Sequence, residues 1–350
     1  MTINDIVQSI EFLHPDRTFV IAEAGVNHNG DMSLAHKLID AAADAGVDAV
    51  KFQTWRAEGL ATAEAPKAEY QLRTTGSGGN QLDMLRNLEL PEEYLPELIN
   101  HCEERGITFM STAHDWEAIE ILDRTNVPAF KVGSGDMTNT PFLRKMAQKM
   151  RPIIMSTGMA NLAEVEEAVN AVRSEGNDQL ILLHCVTSYP AKFEDINLRA
   201  MDTLERAFQV PVGYSDHTPG IEASLAAVAM GARVIEKHFT LDRSMVGPDH
   251  LSSLEPDELK SMMQGIRLVE AALGNGVKGP SQVEEDIKVV ARKSIVAATD
   301  IAAGTTITEA MVTTKRPGSG IMPRDWDEVV GRVSIGMIIK DDLIRWDQLS

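Results

Sequence analysis

Residues 211–240 read PVGYSDHTPGIEASLAAVAMGARVIEKHFT. Two β-branched runs, 212–216 and 234–239, each end in polar residues, and the small-residue stretch 221–230 between them has helical character. A strand, a helix and a second strand in so short a span form one parallel crossover unit. Side chains alternate along a strand, so Ser215 and His217 share one face of the first run. Glu236 and His238 share one face of the second.

Working outward, the unit recurs. Runs 19–23, 49–53, 108–112, 130–134, 153–157 and 180–185 bring the strands to eight. Helical stretches at 33–45, 116–124 and 162–173 separate them, the last with an apolar stripe of Leu162, Val165, Val169 and Val172. Asp31, Asp115 and Asn161 stand where N-caps belong. Eight alternating units over about 250 residues predict a closed (β/α)8 TIM barrel rather than an open doubly wound sheet. Residues 1–273 are assigned to it. The segment 57–90, containing TTGSGGN, is too long for an ordinary strand-to-helix loop, and reads either as a cover over the barrel mouth or as a surface excursion. After a helix at 256–273 the periodicity changes: 274–290 begins with the polar GNGVKGPSQVEED and reads as a linker. Residues 291–350 carry short apolar pairs punctuated by glycine and read as a small β-rich domain.

Composition bounds the function. At 350 residues two domains are expected, and 43% apolar with 24% charged residues is ordinary for a globular chain. No apolar run reaches the roughly 18 residues of a membrane span, and the first residues lack a signal-peptide pattern, so a cytoplasmic location is expected. Cys102 and Cys185 fall in a helix and a strand and read as buried reduced thiols. A net charge of −19 opposes binding to nucleic acid or an anionic membrane. A small anionic substrate therefore needs a locally basic pocket.

In a barrel of this kind the chemistry sits at the C-terminal ends of the strands. Those ends supply Glu23 with Asn27 and His28 behind it; Lys51 and Gln53; Ser111, Thr112 and His114; Lys131 and Ser134; Ser156 and Thr157; Thr187 and Tyr189; Ser215 and His217; Glu236 and His238. Histidines ending neighbouring strands can meet around one divalent cation, with Glu236 or water completing the shell. Taken singly, each histidine is more often a hydrogen-bonded structural residue, and it is their matching position on neighbouring strands that brings the metal reading level with that one. Lys51 and Lys131 suit a phosphate or carboxylate ligand, a salt bridge to Glu23 or Glu236, or Schiff-base chemistry. Glycines in KVGSGD and STGM, with serines beside them, can offer N–H groups and hydroxyls to phosphate oxygens.

At these residues the chain resembles the sialic acid synthase family. FVIAEAGVNHNG, VDAVKFQTW, FMSTAHD, FKVGSGD, IMSTGM, LLHCVTSYP, VGYSDHT, VIEKHFTLDR, GPDH and ARKSIVA with KRPGSGI follow in the family's order from about Phe19 to the end. The family's C-terminal module resembles type III antifreeze proteins, which implies an antifreeze-like (SAF, β-clip) domain over 291–350. The resemblance implies an enzyme that condenses phosphoenolpyruvate with N-acetylmannosamine or a related amino-sugar aldehyde and releases phosphate. It implies His217 and His238 as ligands of manganese or magnesium. Lys51, Lys131, Ser134, Ser156 and Ser215, with Thr112 nearby, correspond to the phosphoenolpyruvate site. Glu23, Gln53, Tyr189 and Asp249 match positions around the sugar and the reacting carbons, and Asn27 and Glu236 join the substrate-binding candidates. Arg316 in KRPG matches an arginine that reaches the partner's active site in a domain-exchanged homodimer. One departure bears on specificity: where many N-acetylneuraminate synthases have HCTNxYP, this chain has HCVTSYP, with Thr187 at the asparagine position. A hydroxyl reaches other sugar oxygens than an amide does, which leaves legionaminic or pseudaminic acid synthesis open. A Schiff-base aldolase and a non-catalytic sugar-binding protein are the rival readings.

Overall fold

The computed structural model describes residues 2–75 and 78–350. Eight parallel strands close into one barrel in chain order: β1 Phe19–Gly25, β2 Ala49–Thr54, β3 Thr108–Ala113, β4 Phe130–Val132, β5 Ile153–Ser156, β6 Leu180–Cys185, β7 Val212–Asp216 and β8 Val234–His238, with β8 pairing back onto β1. The expected (β/α)8 barrel is therefore the observed one. Helices α1 Ile3–Ser9 and α2 Met32–Ala45 precede an insert of three short helices, α3 Ala57–Leu60, α4 Glu69–Thr75 and α5 Gln81–Leu88. The outer layer continues with α6 Leu95–Arg105, α7 Trp116–Arg124, α8 Thr140–Ala147, α9 Leu162–Arg173, α10 Ala200–Phe208, α11 Glu222–Ala229 and α12 Pro256–Leu273.

The caps expected from sequence form. Asp31 accepts from the Ser33 N–H, Asp115 from the Ala118 N–H, and Asn161 from those of Ala163 and Glu164, satisfying donors that a first helical turn leaves free. Apolar residues of the strands and of the inward helix faces make one continuous core, including the α9 residues Val165, Val169 and Val172. The segment 57–90 is not a bare loop: α3 and α5 build a separate apolar cluster of Trp55, Ala57, Leu82, Met84 and Leu88 with Val26. Of its TTGSGGN stretch, Gly76 and Ser77 lie outside the described residues.

The chain divides into two compact units, Met1–Gly274 and Asn275–Ser350. The stretch read as a linker holds a helix, α13 Gln282–Ala291, whose N-terminus is capped by Ser281 and Glu284. Its polar first turn masked that cap. The second unit has its own core of Ile295, Ala297, Ile301, Ile307, Val312, Ile338 and Ile344. Its regular pairing is one antiparallel couple, β9 Ser294–Ala297 with β10 Val312–Lys315, supplemented by isolated bridges such as Ile301 with Ile338. Among the described residues no helix is long and apolar enough to cross a membrane. Cys102 and Cys185 are free and buried.

Candidate active site

Parallel register sets which side chains meet at the mouth. Glu23 of β1 is level with Lys51 on one side and His238 on the other. Gln53 is level with Thr112, and Thr112 with Lys131. Cys185 is level with Ser215, and Ser215 with Glu236. These residues all line one cavity of about 320 Å³, together with Ser134, Ser156, Thr187, Tyr189, His217 and Asp249. Two glycines permit the close approaches. A Cβ on Gly213 would lie 2.1 Å from the Val234 carbonyl oxygen, so only glycine lets β7 run this close to β8 at that point. A Cβ on Gly158 would lie 2.3 Å from Thr187 Oγ1 and 2.7 Å from Ser134 Oγ.

The floor is a buried charge cluster. Lys51 Nζ stands 2.5 Å from Glu23 Oε2 and 3.6 Å from Glu236 Oε2, and donates to Thr112 Oγ1 at 2.8 Å. Lys131 Nζ stands 3.4 Å from Glu236 Oε1 and donates to Ser156 Oγ at 2.8 Å. Ser215 Oγ donates to Glu236 Oε1 at 3.1 Å, and Gln53 Nε2 donates to Glu23 Oε1 at 2.8 Å. Burial alone would raise the Glu236 carboxyl, but Lys131 and Lys51 bring it down to about 2, so it is ionised. Burial lowers the Lys51 ammonium, and Glu23 and Glu236 more than offset this, leaving it above its usual value. Burial, reinforced by the Glu23 charge, pushes the Asp249 carboxyl up to about 7. Asp249 is thus a carboxylic acid below neutrality.

His217 and His238 meet beside this cluster, two residues past Ser215 and Glu236, with ring centroids 5.5 Å apart and the Tyr189 ring 4.2 Å from His217 and 5.8 Å from His238. His217 Nδ1 donates to the Val186 carbonyl oxygen at 2.8 Å, which fixes the ring and leaves Nε2 to present its lone pair. His238 Nδ1 is buried without a hydrogen-bond partner, and burial, then the His217 charge, holds this imidazole well below its usual basicity. Among the described residues no group of three or more His, Cys, Asp and Glu meets at metal-ligating spacing. A paired set of imidazoles, one with an orphaned nitrogen, fits a cation whose remaining positions are filled by water or substrate, as catalytic rather than structural metal sites require. Thr187 Oγ1 is likewise buried without a partner.

Asn27 does not line the cavity: its amide donates to the Phe239 carbonyl and to Ser253 Oγ, tying β1 to the chain after β8. Both amide donors are used inside the fold, while Oδ1 is buried without a partner. Arg316 belongs to the second unit, where its Nε donates to the Ala291 carbonyl oxygen at 3.0 Å. Sequence reasoning missed the cavity's apolar side, made by Trp55, Leu60, Met84, Leu85 and Leu88, with Gln71 and Gln81. The i, i+4 spacing of Met84 and Leu88 in the insert was the available signal. It also missed Cys185 as a wall residue, its Sγ 3.7 Å from His217 Nδ1.

The NeuB family profile matches residues 38–278, and the SAF domain profile matches residues 292–350. The chain belongs to the NeuB family. The resemblance drawn from the ten motifs is thereby established, as is the SAF module at the C-terminus. Among the family's members, the N,N'-diacetyllegionaminic acid synthase of Campylobacter jejuni is 49% identical over 94% of this chain and 99% of its own length. The N,N'-diacetyllegionaminic acid synthase of Legionella pneumophila is 46% identical over 95% of this chain and 94% of its own. The crystal structure of N-acetylneuraminic acid (sialic acid) synthetase from Leptospira borgpetersenii in complex with citrate superposes with a TM-score of 0.68 at 35% identity, covering 77% of this chain and 90% of that one.

Proposed function

We propose that this NeuB family chain condenses phosphoenolpyruvate with an amino-sugar aldehyde to make a nine-carbon acidic sugar, and that its acceptor is a hexose bearing two acetamido groups. The observation that carries the reaction is the convergence of two buried lysines and two neighbouring histidines on one cavity at the strand ends. The ammonium groups of Lys51 and Lys131, with the hydroxyls of Thr112, Ser134 and Ser156, hold the phosphate and carboxylate of phosphoenolpyruvate through charge-assisted hydrogen bonds. Glu23 and Glu236 keep those ammonium groups aimed inward before the anion arrives.

His217 and His238 would hold a divalent cation, manganese or magnesium, which when bound would supply Lewis-acid polarisation of the aldehyde. Tyr189 packs its ring on His217 and narrows the space in which the aldehyde turns. Carbon three of phosphoenolpyruvate attacks the aldehyde carbon. Glu23, whose carboxyl burial raises while the paired Lys51 opposes the rise, faces the positive charge that develops at carbon two, where water adds before phosphate leaves by C–O cleavage. Asp249, protonated below about 7, donates a hydrogen bond to a sugar oxygen, with the Gln53 amide as its neighbour around Gly25.

The acceptor is argued from two features. The relatives at 49% and 46% identity carry the name N,N'-diacetyllegionaminic acid synthase. The wall of Trp55, Leu60, Met84 and Leu88 suits acetamido methyl groups, and Thr187 offers its unpartnered hydroxyl where many N-acetylneuraminate synthases carry an amide. The test is a panel of aldoses incubated with phosphoenolpyruvate and manganese, followed by phosphate release and product mass. The diacetamido hexose should exceed N-acetylmannosamine in kcat/KM by about tenfold, the scale of one well-placed contact worth about 1.4 kcal/mol. The reverse order would make N-acetylmannosamine the acceptor, and no phosphate from any aldose would remove the synthase reading. A Schiff-base aldolase would instead be trapped by borohydride with pyruvate. We further propose a homodimer in which Arg316 serves the partner's site. A mixture of inactive Arg316→Ala and Lys51→Ala chains should then regain activity, and a mixture that stays silent would refute it.

A further inference from the structure

Directly behind the two histidines lies a second charge pair that the reaction does not touch. Asp216 and Lys237 are level with each other on β7 and β8, on the face opposite Ser215 and Glu236, and both side chains are 0% exposed. Lys237 Nζ stands 2.9 Å from Asp216 Oδ2 and donates to the Thr218 carbonyl oxygen at 2.5 Å. Asp216 Oδ1 accepts from the Thr218 N–H and hydroxyl, each at 2.8 Å, and Oδ2 accepts from Ser224 Oγ of α11 at 2.7 Å. All three polar groups of Thr218 are therefore held by this pair.

The placement matters more than the pairing. Replacing a buried ion pair with apolar residues of similar volume is often neutral or stabilising, so stability alone does not explain its presence. His217 lies between Asp216 and Thr218, and His238 follows Lys237. The registered pairing of β7 with β8 ends at Asp216 and Lys237, one residue short of the histidines, and the backbone of His238 is held instead by its register with Glu23 of β1 and by the Leu254 N–H that its carbonyl accepts. Where the backbone ladder stops, the ion pair takes over. It links the residue before one histidine to the residues on both sides of the other.

We infer that Asp216 and Lys237 are positioning residues that brace the ends of β7 and β8 and thereby set the spacing of His217 and His238 for a divalent cation. The inference rests on the metal reading of those histidines. The brace acts outside the cavity, on the outer face of the strands, and touches neither substrate nor cation.

The test measures manganese binding to the metal-free full-length chain by electron paramagnetic resonance, comparing the parent with Lys237→Met/Asp216→Asn, which removes the link without stranding a charge. The double variant should keep its metal-free melting temperature within a few degrees of the parent while its manganese dissociation constant rises at least tenfold. A dissociation constant within twofold of the parent's would overturn the brace. Should the double variant not fold, Thr218→Val deletes one hydrogen bond and leaves both charges paired. It should raise the dissociation constant about threefold, converting to under 1 kcal/mol, and an unchanged constant again overturns the inference. A parent that shows no saturable manganese binding would overturn the metal reading itself, which distinguishes the two failures.

Discussion

At the residue scale the site depends on what burial does to each ionisable group. His238→Ala removes one of the two converging imidazoles and should lower metal-dependent turnover about 100-fold or more while the fold persists. Full activity with excess manganese would exclude His238 from the reaction. His28 makes a separate prediction. Burial depresses its imidazole from 6.5 to about 4, so between those values the unfolded chain takes a proton that the folded chain refuses. Stability is therefore lost as pH falls from 6.5 toward 4, by about 3 kcal/mol for this group. The His28→Gln variant should show a flatter decline in urea midpoint across that window, and parallel curves for both proteins would contradict the assignment. Most of the polar cavity residues were legible because they lie at or just past the ends of strand runs, whereas Asp249 was reached only through the family resemblance. Asn27 lies just past a strand end, where a side chain is as able to tie loops together as to face a ligand. Chain position alone carries no sign of which way an amide turns.

At the element scale the strands and most helices were readable from periodicity and caps, and their ends shifted by a residue or two, as where β4 stops at Val132 and Ser134 enters a short 3-10 turn. The insert was not readable as structure. Helices α3, α4 and α5 are four to eight residues long, too short to be stable alone, and α3 and α5 are supported by the small cluster around Trp55 and Leu88. That cluster is separate from the barrel core, so damage to it should stay local. Leu88→Ala is expected to weaken the cluster by about 2 kcal/mol and to raise the KM for the sugar, with little change in the melting temperature of the barrel. An unchanged KM would mean that the insert does not shape the acceptor's side of the cavity. Helix α13 escaped because GNGVKGPSQVEED supplies polar residues where a linker and a capped first turn look alike.

At the scale of the whole molecule, the chain has two self-contained cores and a net charge of −19, and the barrel unit holds a cavity whose floor carries two lysines. The overall charge opposes approach of a multiply charged anion, and the lysines hold it only once it has entered. Raising ionic strength from about 0.01 to 0.15 M shortens the Debye length from roughly 30 to 8 Å. The kcat/KM for phosphoenolpyruvate should rise modestly over that range, and a steep fall would mean that the local lysine field extends beyond the mouth. The most direct test of the chemistry follows one oxygen. Phosphoenolpyruvate labelled with oxygen-18 at the bridge between carbon two and phosphorus is to be turned over with the diacetamido hexose and the released phosphate weighed. Water attack at carbon two predicts that the label leaves with phosphate. Unlabelled phosphate, with the heavy oxygen retained in the nine-carbon product, would place the break at phosphorus and contradict the role given to Glu23 and the two lysines.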